Sequence, residues 1–491
     1  MNTMPTAVPA GFDAWLGNPG GKYVAPSFQI QGLTGLFPGV VPADPEGSCA
    51  GGKPTGGAPD AGCWLGTSDN YSTAVIGNVS TAWISKVAHE QPDRPWFAYI
   101  APKAAHEPFN PAPWYEGVWK DDWPEHEPRP ENWNCTAEAR KNHAGVVATN
   151  PMITSDLAHR ITDVFKNRWR TLMSVDDLIG DVITLCDTLG LSNNTYFFYS
   201  SDHGFQLGNF NVPWDKRHAY DWDTHIHLLA RGPGIEPGST WSEPATQVDV
   251  TATFLGLAGL PKPPNFDGKS LVPLIVSRGE VGGQKQQRGA AGAPTGPGMV
   301  LPESVAGHLR SMLDQLGGED GSRESYAAGW RTSIFIEYYF VNDNNVCVHN
   351  CTNMTQDYPN RDASCGDLTP GANSDCWGHG MKMNAAKPGC TLACVPTESS
   401  QNNFIALRSM PWSQHGNSLY VEYQAGSQYT TDVDFTKVDF VERFDVSQDP
   451  WHMQNLYNNN PLGNQSWQAA EVEKLHAELH RWYNCAGDAC P

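Results

Sequence analysis

The sequence predicts an α/β fold, in which the strands of a buried sheet alternate along the chain with helices. Two short apolar runs, residues 195–199 and 226–230, end abruptly in Ser-Ser-Asp-His-Gly and in Arg-Gly-Pro-Gly, as buried strands do. A long stretch with apolar residues at helical spacing, 155–189, precedes the first run and ends at Gly190, a natural helix stop. In such sheets the chemistry lies in loops at the carboxyl ends of the strands.

A second helix and strand precede this pair in the chain. Residues 73–90 have a helical pattern and lead into a strand-like run, 96–100, which Pro102 closes. Helix, strand and loop thus occur twice, before His106 and before Asp202. That order is typical of a parallel α/β sheet. Residues 248–260 predict a further amphipathic helix that ends in Gly-Leu-Pro.

The second half of the chain predicts a smaller subdomain. Residues 278–329 are rich in Gly, Gln, Ala and Ser, which indicates a flexible insertion with a short helix near 305–316. Beyond it, four strand-like runs and one helix predict an α+β arrangement. They lie at 333–341, 404–407, 418–424, 438–444 and 468–483. We therefore divide the chain into a catalytic α/β domain (1–277), the insertion (278–329) and a C-terminal α+β subdomain (330–491).

Composition narrows the class of partner. The net charge of −21 argues against nucleic acid or an anionic membrane surface, although a local cationic pocket can still bind a small anion. The chain has no run of 18 apolar residues, so we expect no membrane span.

Cysteines and glycosylation sequons favour the secretory route. The chain has 12 cysteines, with close pairs at Cys347/Cys351, Cys390/Cys394 and Cys485/Cys490. N-x-[ST] sequons stand at Asn70, Asn78, Asn134, Asn193, Asn350, Asn353 and Asn464. A zinc site is the alternative use of the cysteines, but no Cys-x-x-Cys pair supports it. The first residues lack the basic and apolar regions of a signal peptide, so we expect that the N-terminus is missing or misassigned.

Asp202 and His203 are the first candidate site residues. They follow a predicted strand directly, where a carboxylate and an imidazole can bind a metal. The alternative is structural: Asp202 caps the next turn and His203 is an ordinary loop histidine. Two ligands do not make a tight site, so others must come from elsewhere in the fold.

Lys216 and His106 are the other candidates. Lys216 can neutralise an anionic group beside the metal, since lysine is a compact point charge with three donors; alternatively it is a surface lysine paired with Asp215. His106 follows the predicted strand 96–100 and can protonate a leaving oxygen, although a lone loop histidine is more often structural.

The motif that begins at Ser201, SDHG-x3-G-x4-P-x-DKR followed by LLARGPGI, resembles the sulfatase family of the alkaline-phosphatase-like superfamily. The segments VPAGFDAWLG, FKNRWRTLMSVDDLIGDVI, NNTYFFYSSDHG and SQDPWHMQNL are similar to its N-acetylglucosamine-6-sulfatase branch. The similarity runs from about Val8 to Cys490, with breaks around residues 40–61 and 278–329. It implies the alkaline-phosphatase-like fold, a sheet with helices on both faces, together with the smaller C-terminal subdomain.

The resemblance also implies roles. Asp202 and His203 match the family's late pair of calcium ligands, and Lys216 matches the lysine that holds the sulfate. His106 matches the histidine of the H-x-P loop, which contacts the ester and helps the alcohol leave. The family's nucleophile is a formylglycine made from cysteine in C-x-P-S-R or C-x-A-x-R, and an early Asp-Asp pair completes the calcium site.

Neither of those two features has a match here. Both precede the VPxGxDxW phrase in the family, so we expect that the chain lacks the family's N-terminal portion. In Cys135-Thr136-Ala137-Glu138-Ala139-Arg140 the arginine comes one position late and the segment follows the His106 loop, so we reject it as the nucleophile motif. The nucleophile stays unknown.

The function implied is hydrolysis of 6-O-sulfate esters on N-acetylglucosamine or a related sulfated glycan, in glycosaminoglycan breakdown. We expect this chain alone to be inactive because its nucleophile motif is absent. One alternative is a non-catalytic relative that binds sulfated glycans. The other, less supported, is a metal-dependent phosphoesterase of the same superfamily. A lysosomal or an extracellular location fits the cysteines and the sequons.

Overall fold

The computed structural model describes residues 10–18, 22–36, 41–42, 61–119, 125–276, 307, 311, 323–341, 344–349, 392–426, 433–457 and 466–491. The described chain is mixed α/β. The strands are β1 (Trp15–Gly17), β2 (Ser27–Gln31), β3 (Val41–Pro42), β4 (Ala61–Leu65), β5 (Phe197–Ser200), β6 (Leu228–Arg231), β7 (Ser333–Tyr338), β8 (Asn344–His349), β9 (Leu392–Glu398), β10 (Asn403–Ser409), β11 (Ser418–Gln424) and β12 (Phe440–Asp445).

The helices differ widely in length. They are α1 (Ser72–Glu90), α2 (Ala137–Arg140), α3 (Gly145–Thr149), α4 (Ser155–Thr188), α5 (Asp221–Thr224), α6 (Gln247–Leu257), α7 (Val272–Ile275), α8 (Arg323–Ala328) and α9 (Ser466–Tyr483). Within the described ranges, none of them is long and apolar enough to cross a membrane.

The described residues group into two units. The first comprises those up to Glu127 together with Thr162–Ser192. It contains the antiparallel sheet β1-β2-β4-β3, whose inner face packs on α1. Phe28 and Ile30 of the sheet meet Val75 and Val79 of the helix there. The amphipathic pattern of residues 73–90 therefore predicted α1 to within one residue at its start.

The second unit comprises Pro128–Ile161 and the described residues of Asn193–Asn350 and Ser374–Pro491. It contains the antiparallel sheet β12-β11-β10-β7, which is buried on both faces. One face packs on α9 through Leu475 and Leu479, and the other packs on Phe210 and Tyr220. The predicted α+β subdomain thus has the expected strands and helix. The predicted domains 1–277, 278–329 and 330–491 are continuous segments, whereas each compact unit combines separate segments of the chain. The predicted division stays a prediction.

One strand predicted for the α/β sheet was wrong. Residues 96–100 form no strand, and Phe97 and Tyr99 are exposed. Strand-forming residues make a strand only where a neighbour supplies backbone hydrogen bonds, and no described strand does so here. β5 and β6 pair with each other in antiparallel orientation, from Phe197 opposite Arg231 to Ser200 opposite Leu228. The loop at the end of β5 is nevertheless where the sequence predicted it.

The remaining predictions meet the described residues only in part. The insertion 278–329, with its short helix, lies outside them apart from residues 307 and 311 and the segment from 323, where α8 lies. Cys485 and Cys490, one of the close cysteine pairs in the sequence, form a disulfide, whereas Cys135 and Cys186 are free and buried. The other two close cysteine pairs, Cys347/Cys351 and Cys390/Cys394, each include a residue outside the described ranges.

Candidate functional site

The loop after β5 is held in a fixed path by backbone contacts. The Gly204 amide donates to the Asp223 carbonyl over 2.8 Å, and the Gln206 amide donates to the Asp215 carbonyl over 2.8 Å. A Cβ on Gly204 would lie only 1.9 Å from the carbonyl oxygen of Trp222, so this position requires glycine. The loop that carries Asp202 and His203 is therefore tied to the segment that follows it in the chain.

Asp202 and His203 present their side chains to each other. His203 Nε2 lies 3.2 Å from Asp202 Oδ2, and the His203 amide donates to Asp202 Oδ1 over 3.1 Å. The other ring nitrogen, Nδ1, lies 2.7 Å from the Gly204 carbonyl oxygen and donates to it. In the neutral ring Nδ1 therefore carries the proton, and Nε2 has a lone pair directed at the carboxylate.

That arrangement fits a cation. Two acceptor atoms face each other at Asp202 Oδ2 and His203 Nε2, and a positive charge between them, or a proton on the ring, removes their repulsion. The Asp202 side chain is exposed and His203 is half-buried, so a metal has access from solvent. A ring nitrogen whose partner nitrogen donates to a carbonyl is the usual form of a histidine metal ligand.

Lys216 belongs to the segment tied to this loop. Its Nζ lies 3.9 Å from Asp215 Oδ1 and 6.0 Å from the centre of the Phe205 ring. Asp215 Oδ1 also accepts the Lys216 amide over 2.9 Å, and Asp215 Oδ2 accepts the Thr397 hydroxyl over 2.8 Å. The lysine is thus half-buried and only loosely paired. The pair with Asp215 is the one that the structural alternative named, and the partial burial of the lysine is not part of that alternative.

Asp223 is the main residue at this loop that sequence reasoning missed. Its Oδ2 accepts the Gln206 side-chain amide over 2.7 Å and the His218 backbone amide over 3.0 Å. Burial raises the pKa of Asp223 well above its ordinary value, and the charge of Asp215 adds to that rise. The sequence has no local pattern that predicts this contact, because Asp223 lies 17 residues from its partner Gln206.

His106 lies in the first unit, on a loop held by hydrogen bonds to its backbone. Its carbonyl accepts the Tyr23 hydroxyl over 2.7 Å, and its amide donates to the Lys103 carbonyl over 2.9 Å. Arg168 Nη1 donates to the Ala105 carbonyl over 2.8 Å. The exposed imidazole places Nδ1 3.1 Å from the Glu107 carbonyl oxygen, so in the neutral ring Nε2 has the lone pair.

Lys103 accompanies His106 in this loop and was also missed. Its Nζ lies over the Tyr23 ring, 5.1 Å from the ring centre. Burial lowers the pKa of Lys103 to about 8, although the Glu107 carboxylate acts in the opposite direction. Lys103 is thus a half-buried lysine three residues before a candidate acid. The sequence could have indicated Lys103, because it lies only three residues before His106 in the same predicted loop.

The rejected motif at Cys135 is a structural element. Cys135 is buried in the core, and Arg140 donates through Nε to its carbonyl and through Nη1 and Nη2 to the carbonyls of Val147 and Asn150. Burial raises the pKa of the Cys135 thiol. A nucleophile must reach substrate, so a buried thiol between these contacts does not suit the role. The structure supports the rejection.

The structure therefore brings Asp202 and His203 together and ties Lys216 to the same loop system. His106 belongs to the other unit. The catalytic and calcium-binding roles of these residues stay predictions.

Two known proteins similar to this chain have the name of the branch that its sequence segments resemble. N-acetylglucosamine-6-sulfatase of Bos taurus is 25% identical over 422 residues, which cover 86% of this chain and 57% of the relative. The Homo sapiens enzyme of the same name is 35% identical over 207 residues, 42% of this chain and 36% of that protein. This chain thus spans little more than half the length of the bovine relative.

A solved structure of a protein with its substrate D-glucosamine-2-N,6-O-disulfate matches with a TM-score of 0.53 at 17% identity, covering 96% of this chain and 76% of that one. This likeness confirms the predicted fold class, the alkaline-phosphatase-like α/β fold of sulfatases. The model of the sulfatase family matches residues 6–260, more than half of the 491 residues. The chain therefore belongs to the sulfatase family.

Proposed function

We propose that the whole protein hydrolyses 6-O-sulfate esters of N-acetylglucosamine or a related sulfated glycan. Family membership supports sulfuric ester hydrolysis, and the names of the bovine and human relatives support the sugar. The observation that carries the proposal is the pair of facing acceptor atoms at Asp202 and His203, with the half-buried cation Lys216 in the adjoining segment. A divalent cation and a lysine together suit a sulfate group.

In this proposal each residue has one task. Asp202 Oδ2 and His203 Nε2 would hold calcium, which when bound supplies positive charge to the sulfuryl oxygens. Lys216 neutralises the sulfate, and the anionic ligand would compete with Asp215 for its ammonium group. His106 gives a proton to the leaving sugar oxygen, which requires the imidazolium form at that moment.

The formylglycine of the family does not fit any residue described above. Cys135 and Cys186 are buried, and neither lies in a C-x-P-S-R or C-x-A-x-R sequence. We therefore assign no nucleophile and derive no step through that group. We propose that the 491 residues by themselves bind the sulfated sugar without hydrolysing it.

A non-catalytic glycan-binding relative is the second candidate. It is favoured by the same combination, a sulfate-facing set of residues without a nucleophile motif in the 491 residues. The coding sequence upstream of Met1 separates the two. An in-frame Asp-Asp pair followed by C-x-P-S-R supports the hydrolase, and its absence supports the binding protein. A phosphoesterase would need a Ser or Thr nucleophile and more metal ligands, which nothing in the site supports.

Binding of N-acetylglucosamine 6-sulfate to the purified chain tests the proposal. In calorimetric titrations with calcium present, we expect the sulfated sugar to bind more tightly than unsulfated N-acetylglucosamine. Lys216→Ala should weaken it about 10-fold or more, because a charge-assisted hydrogen bond contributes about 1.5–3 kcal/mol. The matched control is Lys141→Ala, which removes an exposed lysine paired with Glu138. Equal binding of the two sugars, or equal loss in both variants, would contradict the proposal.

The location and partners follow from the proposed substrate. We propose a sulfated glycan as the partner and the lysosome or the extracellular space as the location. Both compartments are reached by the secretory route that the cysteines and sequons favour. The Cys485–Cys490 disulfide supports an oxidising compartment.

A further inference from the structure

Three side chains that take no part in the proposed sulfate site converge at one edge of the second unit. Glu422 of β11 faces two histidines of α9, with Oε1 2.6 Å from His476 Nδ1 and Oε2 2.8 Å from His480 Nε2. The two imidazole rings lie 4.1 Å apart between centres. One ligand atom from each residue lies within 4.8 Å of the other two.

The fold produces this convergence. His476 and His480 are four residues apart, so they share one side of α9. Leu475 and Leu479, each one position earlier, are fully buried against Tyr420 and neighbouring residues of the sheet. Tyr420 and Glu422 are two residues apart on β11 and therefore lie on the same face. Packing of the leucines thus holds both histidines against the carboxylate.

We propose that Glu422, His476 and His480 form a binding site for a divalent transition metal of the zinc class. Two imidazole nitrogens and one carboxylate are a ligand set that zinc uses with a fourth, open position. The chemistry of the set also suits cobalt, nickel and copper, since imidazole is a good ligand for all of them. This proposal is independent of the sulfatase function.

Charge and burial support a metal at this place. The Glu422 side chain is 1% exposed, and a buried carboxylate needs compensation for its charge. One charged ring would balance the carboxylate, whereas charging both rings would place two cations 4.1 Å apart between ring centres. A divalent ion balances the carboxylate and accepts lone pairs from both imidazoles.

Access and outer contacts are suitable as well. The side chains of His476 and His480 are 49% and 22% exposed, so an ion can enter from solvent. Ligand atoms about 2.0 Å from tetrahedral zinc lie about 3.3 Å apart, so metal binding requires the 2.6 Å and 2.8 Å contacts of Glu422 to lengthen by about 0.5–0.7 Å. The Tyr420 hydroxyl donates to Glu422 Oε1 over 2.7 Å, which orients the carboxylate as outer-sphere partners of metal ligands do.

Cobalt substitution tests the site directly. We would strip the purified chain of metal, add excess calcium to occupy oxygen-rich sites, and titrate with Co²⁺ while recording visible absorption. We expect one equivalent to give the intense bands of four-coordinate cobalt, and Zn²⁺ to displace them. The thermal unfolding midpoint should rise on metal addition, because a ligand that binds only the folded chain stabilises it.

Matched variants make the outcome specific. The double variant His476→Ala/His480→Ala should lose the cobalt bands and the rise in unfolding midpoint. Loss of an outer-sphere partner weakens metal affinity about 10- to 100-fold. Each single variant removes a ligand itself and should weaken cobalt affinity by more than that. His159→Ala removes another exposed helical histidine, one whose Nδ1 contacts the Ser155 carbonyl, and should change neither. Circular dichroism confirms that the variants fold. Bands absent from the native chain, or retained in the folded double variant, would overturn the proposal and leave a hydrogen-bonded cluster.

Discussion

Asp249 and Arg331 form a buried ion pair with two hydrogen bonds, Nη1 to Oδ2 over 2.5 Å and Nη2 to Oδ1 over 2.9 Å. The same carboxylate accepts the amide of Thr246 at the start of α6, over 2.8 Å. Gln247, the first residue of that helix, donates through its side chain to the Ser201 carbonyl. The pair therefore fixes the helix end that contacts the loop carrying Asp202.

Asp249→Asn should destabilise the second unit strongly. The change leaves the Arg331 guanidinium buried without a countercharge, and breaking a buried pair costs about 3–5 kcal/mol of unfolding free energy. Urea unfolding followed by tryptophan fluorescence measures the difference. The control Glu138→Gln breaks the exposed pair with Lys141 and should stay within about 0.5 kcal/mol of the native chain. A similar small effect in both variants would show that the buried pair contributes little.

Gly204→Ala should damage the candidate site. The added methyl group meets the Trp222 carbonyl at 1.9 Å, so the loop must move, at a cost of about 1–3 kcal/mol for overpacking. We expect weaker binding of N-acetylglucosamine 6-sulfate in the same calorimetric experiment. Gly180→Ala is the control: apart from its chain neighbours and the backbone of its own helix, no described atom lies within 4 Å of the new methyl group, and a helix gains about 0.5–1 kcal/mol from alanine. Unchanged binding by Gly204→Ala would mean that the path of this loop does not matter.

Asp223→Asn should become progressively more stable than the native chain as pH rises above about 4. Burial keeps the pKa of Asp223 well above its ordinary value in the folded chain. At pH below the unfolded pKa both states hold the proton and the two proteins have similar stability. As pH rises further, the unfolded chain ionises first and the native chain loses about 1.4 kcal/mol per pH unit until the folded carboxyl also ionises.

Unfolding free energies of both proteins between pH 4 and 8 measure this effect. The asparagine variant lacks the ionisable group and so lacks this loss. Asp93→Asn, at an exposed aspartate, should follow the native chain through the range. A constant difference between Asp223→Asn and the native chain would contradict the raised pKa.

The antiparallel sheet and its helix could be predicted because their signals are local. The run at 418–424 coincides with β11, and the helical pattern at 468–483 gave the end of α9 correctly. Each has enough apolar residues at one period to specify its type. Pairing is different, because it depends on residues far away in the chain. The strand predicted at 96–100 failed for that reason.

The candidate site follows the same rule. Asp202 and His203 are neighbours in the sequence, so their meeting needed no knowledge of the fold. Lys216 is tied to them through the contact of Gln206 with Asp215, and Asp223 through its contact with Gly204. Neither contact has a local sequence pattern. The same holds for Glu422, which meets His476 only because the leucines of α9 pack on β11.

The purified 491-residue chain should show no meaningful sulfatase turnover. Sulfate transfer in the family needs the formylglycine, and none of the 12 cysteines in the sequence lies in the required motif. A chromogenic aryl sulfate and a 6-sulfated glucosamine, each assayed with calcium and with a chelator, measure the rate. The control is the variant Asp202→Ala, whose rate should equal that of the native chain. Calcium-dependent turnover that Asp202→Ala abolishes would show that another group in this chain acts as the nucleophile.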